Sequence, residues 1–216
     1  MAADEFGRPH ALQFRGSRLA RRLLALAGWR VRFEGLPTLQ GVLIVYPHTS
    51  NLDAVVMMLA KWTMGAPLSF WGKHTLFRIP LFGPWLRWQG GVPVDRSRPG
   101  GTTGAALDAF AEAKAQGRYF WLGVSPEGTR KWTSGLRSGF YRTALQANVP
   151  LAVLRLDYGT REVRAVDFMR LSGDVKADLQ RLAQLYQGVS GYRAAQAAPL
   201  TFVDTQSSGP GDPRAP

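Results

Sequence analysis

A histidine and an aspartate stand close together in the run Pro-His-Thr-Ser-Asn-Leu-Asp, as His48 and Asp53. If a turn brings Asp53 beneath the imidazole, its carboxylate accepts a hydrogen bond from one ring nitrogen and leaves the other as a general base. The carboxylate would also stabilise the imidazolium that forms. The pattern is equally typical of a buried, hydrogen-bonded histidine followed by an aspartate that caps a helix.

The group that such a base would activate is a serine of the protein or a hydroxyl of the substrate, because the sequence contains no cysteine. Ser125 lies in the run Gly-Val-Ser-Pro-Glu, which lacks the closing glycine of a nucleophile elbow. Direct attack by a substrate hydroxyl is the simpler interpretation, since one protein group then takes the proton and no covalent intermediate is required.

A second candidate block is Pro-Glu-Gly-Thr-Arg at residues 126–130, directly after a strongly apolar segment. Arg130 offers a planar fork of donors that matches phosphate or carboxylate, and Gly128 allows close approach of the backbone to a ligand. Glu127 could hold Arg130 or contact a substrate hydroxyl, and Thr129 lies between them. The alternative is an exposed turn followed by a solvated arginine.

A third block runs from Gly90 to Arg96 through a short apolar segment that ends in an acid–arginine pair. Lys73, in the run Gly-Lys-His, could add a further contact to phosphate, together with the basic pair Arg130 and Lys131. The alternative is a glycine turn and a surface ion pair that contributes little.

The elements around these blocks alternate between apolar strands and helices. Residues 41–46 form a continuous apolar run typical of a buried strand, and Asn51 offers a helix start that places Asp53 in the first turn. The alternation predicts a single α/β domain with a mainly parallel central sheet flanked by helices. Because reactive groups gather where parallel strands end, we expect one cleft to collect five residues. These are His48, Asp53, Arg96, Glu127 and Arg130.

The chain ends frame this domain, which we predict at residues 15–204. Residues 1–14 are expected to be flexible, and the Gly/Pro/Ser-rich residues 205–216 a disordered tail. Residues 15–29 predict an amphipathic helix with four arginines on one side and leucines on the other. This helix either packs on the core or lies in the headgroup layer of an anionic membrane.

Composition restricts the partners. The formal net charge of +12 attracts phosphate-rich molecules, among them anionic lipid, coenzyme A, acidic carrier proteins and nucleic acid. Nucleic acid is not expected, since no recognised binding motif accompanies the charge. Three scattered histidines and no cysteine favour no metal site. No apolar run is long enough to span a membrane, which predicts a soluble or peripheral protein.

Taken in order, these blocks resemble the glycerolipid acyltransferases, typified by the lysophosphatidic acid acyltransferases. The resemblance extends from about residue 17 to about residue 188 and depends on the order of the blocks rather than on any one of them. The matching residues are His48 and Asp53, then Gly90 and Arg96, then residues 126–130, then Val149 and Pro150.

The resemblance implies transfer of a fatty acyl group from acyl-CoA or an acyl carrier protein to a lysophospholipid hydroxyl, as in making phosphatidic acid from 1-acylglycerol 3-phosphate. His48 would be the base and Asp53 its orienting partner, the second and third blocks would bind phosphate, and Val149 and Pro150 would help form the acyl-chain site. Neither metal nor cofactor is implied, and the location would be cytoplasmic, on the inner face of the membrane. Pro93 and Ser125 depart from the family pattern beside the presumed phosphate site. The acceptor could therefore be another lipid hydroxyl or amine, such as an aminolipid or glycolipid, or the chain could be an inactive basic lipid-binding member.

Overall fold

The computed structural model describes Phe6, residues 10–94 and residues 101–203. The strands in that part are β1 (Arg30–Phe33), β2 (Gln40–Tyr46), β3 (Leu68–Lys73), β4 (Gly91–Val94), β5 (Phe120–Val124), β6 (Leu151–Asp157) and β7 (Glu162–Met169). The α-helices are α1 (Arg18–Leu26), α2 (Leu52–Met64), α3 (Phe82–Trp88), α4 (Gly101–Ala115), α5 (Gly139–Gln146) and α6 (Val175–Leu185), with 3₁₀ helices at His74–Arg78 and Ala194–Gln196.

The strands form one seven-stranded sheet in the order β1-β7-β6-β2-β5-β3-β4. The five strands from β6 to β4 run parallel to one another, whereas β7 is antiparallel to β6 and carries β1 in parallel with it. The predicted α/β fold with a mainly parallel sheet is therefore confirmed. β2 lies between two parallel neighbours, which explains why its sequence is continuously apolar.

Both faces of the sheet are covered, so successive side chains of β2 enter different parts of the core. Val42 and Ile44 pack on one face with Phe110 of α4. Leu43 packs on the other face with Val56 of α2. A strand that is fixed on both faces provides a rigid base for the loop that follows it, and that loop begins at Pro47.

Several elements differ in detail from the sequence expectations. The amphipathic helix begins at Arg18 because Ser17 caps it, its hydroxyl accepting a hydrogen bond from the Ala20 nitrogen at 3.2 Å. Strand β1 was not predicted. Within the segment expected to be flexible, Leu12 exchanges two backbone hydrogen bonds of 2.9 Å with Leu36. The predicted tail at residues 205–216 lies outside the described residues.

Helix α1 buries only Ala20 and Leu24 and leaves three leucines on its surface. Leu19, Leu23 and Leu26 are 67%, 46% and 86% exposed, and we call them the α1 leucine face. Packing of α1 on the core thus uses a narrow part of its apolar side. Within residues 10–94 and 101–203, no helix combines the length and the apolar character that crossing a membrane requires.

Candidate active site

The loop between β2 and α2 brings His48 and Asp53 into contact. Asp53 is the second residue of α2, and its Oδ2 lies 3.0 Å from Nδ1 of His48. The same oxygen accepts hydrogen bonds from the backbone nitrogens of Thr49 and Ser50, each at 2.8 Å. The carboxylate therefore folds the loop back on itself and holds the imidazole at the carboxyl end of the central strand.

The second oxygen of Asp53 is bonded to a tyrosine. Tyr158, the residue that follows β6, donates from its hydroxyl to Oδ1 at 2.7 Å. Its ring lies edge-on between those of Trp29 and Tyr192, with centroid distances of 4.7 and 5.2 Å. Asp53 has no exposed surface, so hydrogen bonds from four different residues take the place of water around its carboxylate.

These hydrogen bonds decide the charge of Asp53. Burial has the largest single effect and raises the pKa of this carboxyl. The hydrogen bonds from His48, Tyr158 and Ser50 together outweigh burial, so the pKa lies below its ordinary value. An ionised carboxylate can only accept, so Nδ1 of His48 carries the proton toward Asp53. Nε2 of His48, whose side chain is 18% exposed, is then the nitrogen available as a base.

Glu127 holds the histidine from the other side. It follows β5, and its Oε2 accepts a hydrogen bond from the His48 backbone nitrogen at 2.5 Å. Its Oε1 accepts from the Ala198 nitrogen at 3.1 Å. Burial, with a further contribution from the charge of Asp53, raises the pKa of Glu127 despite these two bonds. The expectation that Glu127 binds substrate stays a prediction, and the contacts observed are with the backbone.

A cleft of about 490 Å³ opens beside the histidine loop. Three segments form its walls: the loop after His48, the loop after β5 and the chain beyond α6. Among the described residues that line it, three side chains are cationic and none is acidic, so this part of the cleft suits an anionic group. The lining residues are Thr49, Ser50, Asn51, Arg130, Lys131, Arg193 and Gln196.

Residues 29–155, which include the histidine loop and the block at 126–130, match the family described as Acyltransferase. The chain belongs to the acyltransferase family. This acyltransferase is similar to the solved structure of PlsC from Thermotoga maritima, a 1-acyl-sn-glycerophosphate (LPA) acyltransferase. The TM-score is 0.50 at 17% sequence identity, with 77% of this chain and 73% of that chain covered, a similarity of fold alone. A comparison with curated protein sequences finds no match.

The block at residues 126–130 reaches the cleft through Arg130. Gly128 forms the turn before it with a φ of 66°, and a Cβ there would lie 2.8 Å from Nε of Arg137. Thr129 is exposed, and its hydroxyl accepts from the Lys131 nitrogen at 3.2 Å. In the acyltransferase, a turn that only glycine accommodates easily therefore precedes two adjacent cations, Arg130 in the block and Lys131 directly after it.

Other predicted site residues have different positions. Lys73 ends β3, at the same edge of the sheet as His48. Arg96 lies outside the described residues. Gly90 precedes β4 at the opposite edge and has a φ of 87°. A Cβ at this position would lie 2.6 Å from the Leu68 carbonyl oxygen. Gly90 therefore forms a turn at the edge of the sheet opposite His48, and its expected contact with substrate stays a prediction.

Val149 and Pro150 are not brought to the cleft either. Both are buried and precede β6, whose Leu151 pairs with Val42 near the start of β2. Tyr46, at the end of β2, lies four positions after Val42, or about 13 Å at a rise of about 3.3 Å per residue. A segment that enters a parallel sheet lies at the edge opposite the residues that leave it. The expectation that this pair helps to form the acyl-chain site stays a prediction.

Two functional candidates were not identified from the sequence. Tyr158 follows a strand at the same edge as His48. The rule that reactive groups gather where parallel strands end could therefore have identified Tyr158 as well. Arg193 lies beyond both the resembling region and the matched residues 29–155, in a segment without regular hydrophobic spacing. No sequence signal pointed to Arg193.

Proposed function

We propose that this acyltransferase transfers a fatty acyl group from an acyl thioester to a hydroxyl of a lysophospholipid such as 1-acylglycerol 3-phosphate. The thioester is acyl-CoA or an acylated carrier protein, and the product with that acceptor is phosphatidic acid. The observation that carries the proposal is a His48–Asp53 pair beside a cleft whose lining, in the described part of the chain, has three cations and no acid. The similar structure from Thermotoga maritima is a 1-acyl-sn-glycerophosphate acyltransferase, which supports the same acceptor.

The chemistry follows from the geometry of the pair. With the acceptor's phosphate held near Arg130 and Lys131, its free hydroxyl lies next to the histidine loop. Nε2 of His48 takes the hydroxyl proton while the oxygen attacks the thioester carbonyl. The carbon–sulfur bond then breaks, and the leaving thiolate takes the proton back from the imidazolium. Asp53, ionised throughout, stabilises the imidazolium between these steps. The reaction requires neither a metal nor a prosthetic group.

A location on the inner, cytoplasmic face of an anionic membrane is part of this proposal. The α1 leucine face is exposed beside Arg18, Arg21 and Arg22, which are exposed as well. Leucines that enter the headgroup region next to arginines that meet anionic lipid are the features of an interfacial helix. Trp29, just beyond α1, packs on Tyr158, so this helix ends close to the catalytic pair.

Aromatic and aliphatic side chains extend this surface beyond α1. Trp62 of α2 accepts a backbone hydrogen bond from Ser17 at 2.8 Å and donates from its indole nitrogen to the Gln89 side chain at 2.8 Å. Gln89 follows Trp88, which is 77% exposed, and Leu81 at the start of α3 is 89% exposed. These contacts link the start of α1 through α2 to the end of α3, and the exposed Trp88 and Leu81 are further candidates for contact with lipid.

The proposed function is tested by thioester consumption with oleoyl-CoA and lysophosphatidic acid, comparing the wild type with His48→Ala. We expect thiol release and new phosphatidic acid from the wild type, with kcat reduced roughly 100- to 10,000-fold in the variant. Transfer that persists at the wild-type rate without His48 contradicts the mechanism. Acylated carrier protein replaces oleoyl-CoA in a second arm. A third arm replaces lysophosphatidic acid by a phosphate-free aminolipid or glycolipid acceptor. A kcat/KM for that acceptor equal to the value for lysophosphatidic acid would argue against a phosphate-bearing acceptor.

A further inference from the structure

The chain beyond α6 returns across the active site as a segment that we call the C-terminal strap, residues 190–202. Gly191 of the strap approaches the histidine loop so closely that a Cβ would lie 2.8 Å from the Thr49 hydroxyl and 3.1 Å from Pro47. The backbone nitrogen of Arg193 donates to that same hydroxyl at 3.1 Å. The first part of the strap is therefore packed directly against the loop that carries the catalytic histidine.

The second part of the strap is fixed by the residues that hold the site together. The Ala198 nitrogen donates to Glu127, whose other oxygen binds the His48 backbone. The Ala198 carbonyl accepts from the Tyr46 hydroxyl at 2.7 Å. Further on, Leu136 donates from its backbone nitrogen to the Thr201 carbonyl at 2.6 Å. Anchors on both sides of residues 193–196 hold this stretch at the cleft.

Arg193 completes the cationic lining of the cleft. Arg130 and Lys131 line it from the loop after β5, and Arg193 lines it from the strap. Gln196 joins the two walls: with its amide nitrogen facing them, it donates to the Arg130 carbonyl at 2.7 Å and to the Thr49 carbonyl at 3.2 Å. No acidic side chain lines the cleft within residues 10–94 and 101–203, so these three cations repel one another unless an anion lies between them. The arrangement therefore favours a phosphate monoester, whose charge at neutral pH approaches −2.

We propose that Arg193 binds the phosphate of the substrate, so that the strap forms a third wall of the phosphate site. The inference rests on the proposed function for the identity of the substrate, and it concerns a residue outside the region that matches the family. Phosphate monoesters are present in two substrates of the proposed reaction, the lysophosphatidic acid acceptor and the coenzyme A of the donor. Both substrates present a phosphate monoester to the cleft, and separate titrations of acceptor and donor distinguish the two sources.

The experiment compares Arg193→Ala and Arg193→Lys with Arg181→Ala, a change of the same kind on α6 away from the cleft lining. KM for lysophosphatidic acid and KM for oleoyl-CoA are measured separately for each full-length variant. We expect Arg193→Ala to raise KM for the phosphate-bearing substrate roughly 10- to 100-fold, as loss of a charge-assisted hydrogen bond does. Arg193→Lys should recover part of that loss because the charge is retained. Arg181→Ala should behave as the wild type, and thermal unfolding checks that all three variants fold.

Binding of glycerol 3-phosphate, measured by calorimetry, separates this inference from the proposed function. If Arg193→Ala leaves both KM values and glycerol 3-phosphate binding at the level of Arg181→Ala, the strap is only structural and the inference is wrong. If the wild type transfers no acyl group but binds glycerol 3-phosphate, and Arg193→Ala abolishes that binding, the phosphate site stands and the proposed function fails. A rise in KM for lysophosphatidic acid alone identifies the acceptor as the source of the phosphate, and a rise for oleoyl-CoA alone identifies the donor.

Discussion

Tyr158 donates its hydroxyl hydrogen to Asp53 Oδ1 at 2.7 Å, while the other oxygen of that carboxylate meets His48. The two contacts leave the carboxylate no freedom to rotate away from the imidazole. Since a hydrogen bond to the ionised form favours that form, Tyr158 also helps to lower the pKa of Asp53. Tyr158 is thus a positioning residue that acts on the histidine through the aspartate.

Replacement of Tyr158 by phenylalanine removes only this hydroxyl. We expect kcat to fall roughly tenfold, because a hydrogen bond of about 1.5 kcal/mol no longer orients Asp53, with KM for both substrates unchanged. Tyr141→Phe is the matched control, since the Tyr141 hydroxyl donates to the Asp178 carboxylate at the same distance of 2.7 Å in a different part of the core. Equal kcat values for the two variants, determined by steady-state kinetics, would show that Tyr158 has no positioning role.

Replacement of Glu127 by glutamine distinguishes a positioning role from substrate binding. Both oxygens of Glu127 accept from backbone nitrogens, whereas a glutamine amide accepts at one end and presents donors at the other. We therefore expect the loop that carries His48 to shift and kcat to fall roughly tenfold, with KM for the acceptor within about twofold of the wild type.

The control for this variant is Glu112→Gln on the exposed surface of α4, where the carboxylate pairs with the side chains of Arg118 and Gln116. Steady-state titration of the acceptor gives both constants. A large rise in KM for the acceptor with kcat retained would instead support the sequence-based expectation that Glu127 contacts the substrate.

The contrast between Asp53 and Glu127 shows what sequence reasoning could reach. His48 and Asp53 lie within one strand–loop–helix connection, so a local turn was enough to predict their contact. The distance of 3.0 Å between Nδ1 and Oδ2 confirms that contact. Glu127 also belongs to a recognisable block, but its partners are the backbone of His48 and of Ala198, far along the chain. Contacts of a carboxylate with distant backbone leave no trace in residue types or spacing.

Direction along the sheet divides the predicted site residues into two groups. Gly90, Val149 and Pro150 precede their strands, and His48 and Glu127 follow theirs. The order of the blocks along the sequence does not say which edge of a parallel sheet each block reaches. His48 and Glu127 lie at the carboxyl ends of parallel strands, the edge of the sheet where the cleft opens.

The lowered pKa of Asp53 predicts a pH-dependent contribution to stability. A carboxyl whose pKa is lower in the folded than in the unfolded state stabilises the fold above its unfolded pKa of about 3.9, and this contribution is lost as the pH falls through the folded value. Asp53→Asn should therefore reduce the free energy of unfolding by at least about 1.5 kcal/mol near pH 7. The difference from the wild type should shrink as the pH falls below about 3.9. Denaturant unfolding between pH 3 and pH 7 measures it, and a difference that is constant across this range would contradict the assignment.

The α1 leucine face predicts the strength of membrane binding. Changing Leu19, Leu23 and Leu26 to glutamine should leave the free energy of unfolding nearly unchanged, because these side chains already face solvent. Affinity for anionic vesicles should fall at least tenfold, since each leucine that enters lipid contributes up to about 1.5–3 kcal/mol. The matched control is Leu39→Gln with Leu145→Gln, two leucines of 42% and 38% exposure away from α1. Vesicle co-sedimentation measures the affinity, and added salt should weaken the wild type further by screening the arginines. If the leucine variant binds vesicles as tightly as the control does, α1 is a surface helix of the domain and the contact with lipid lies elsewhere.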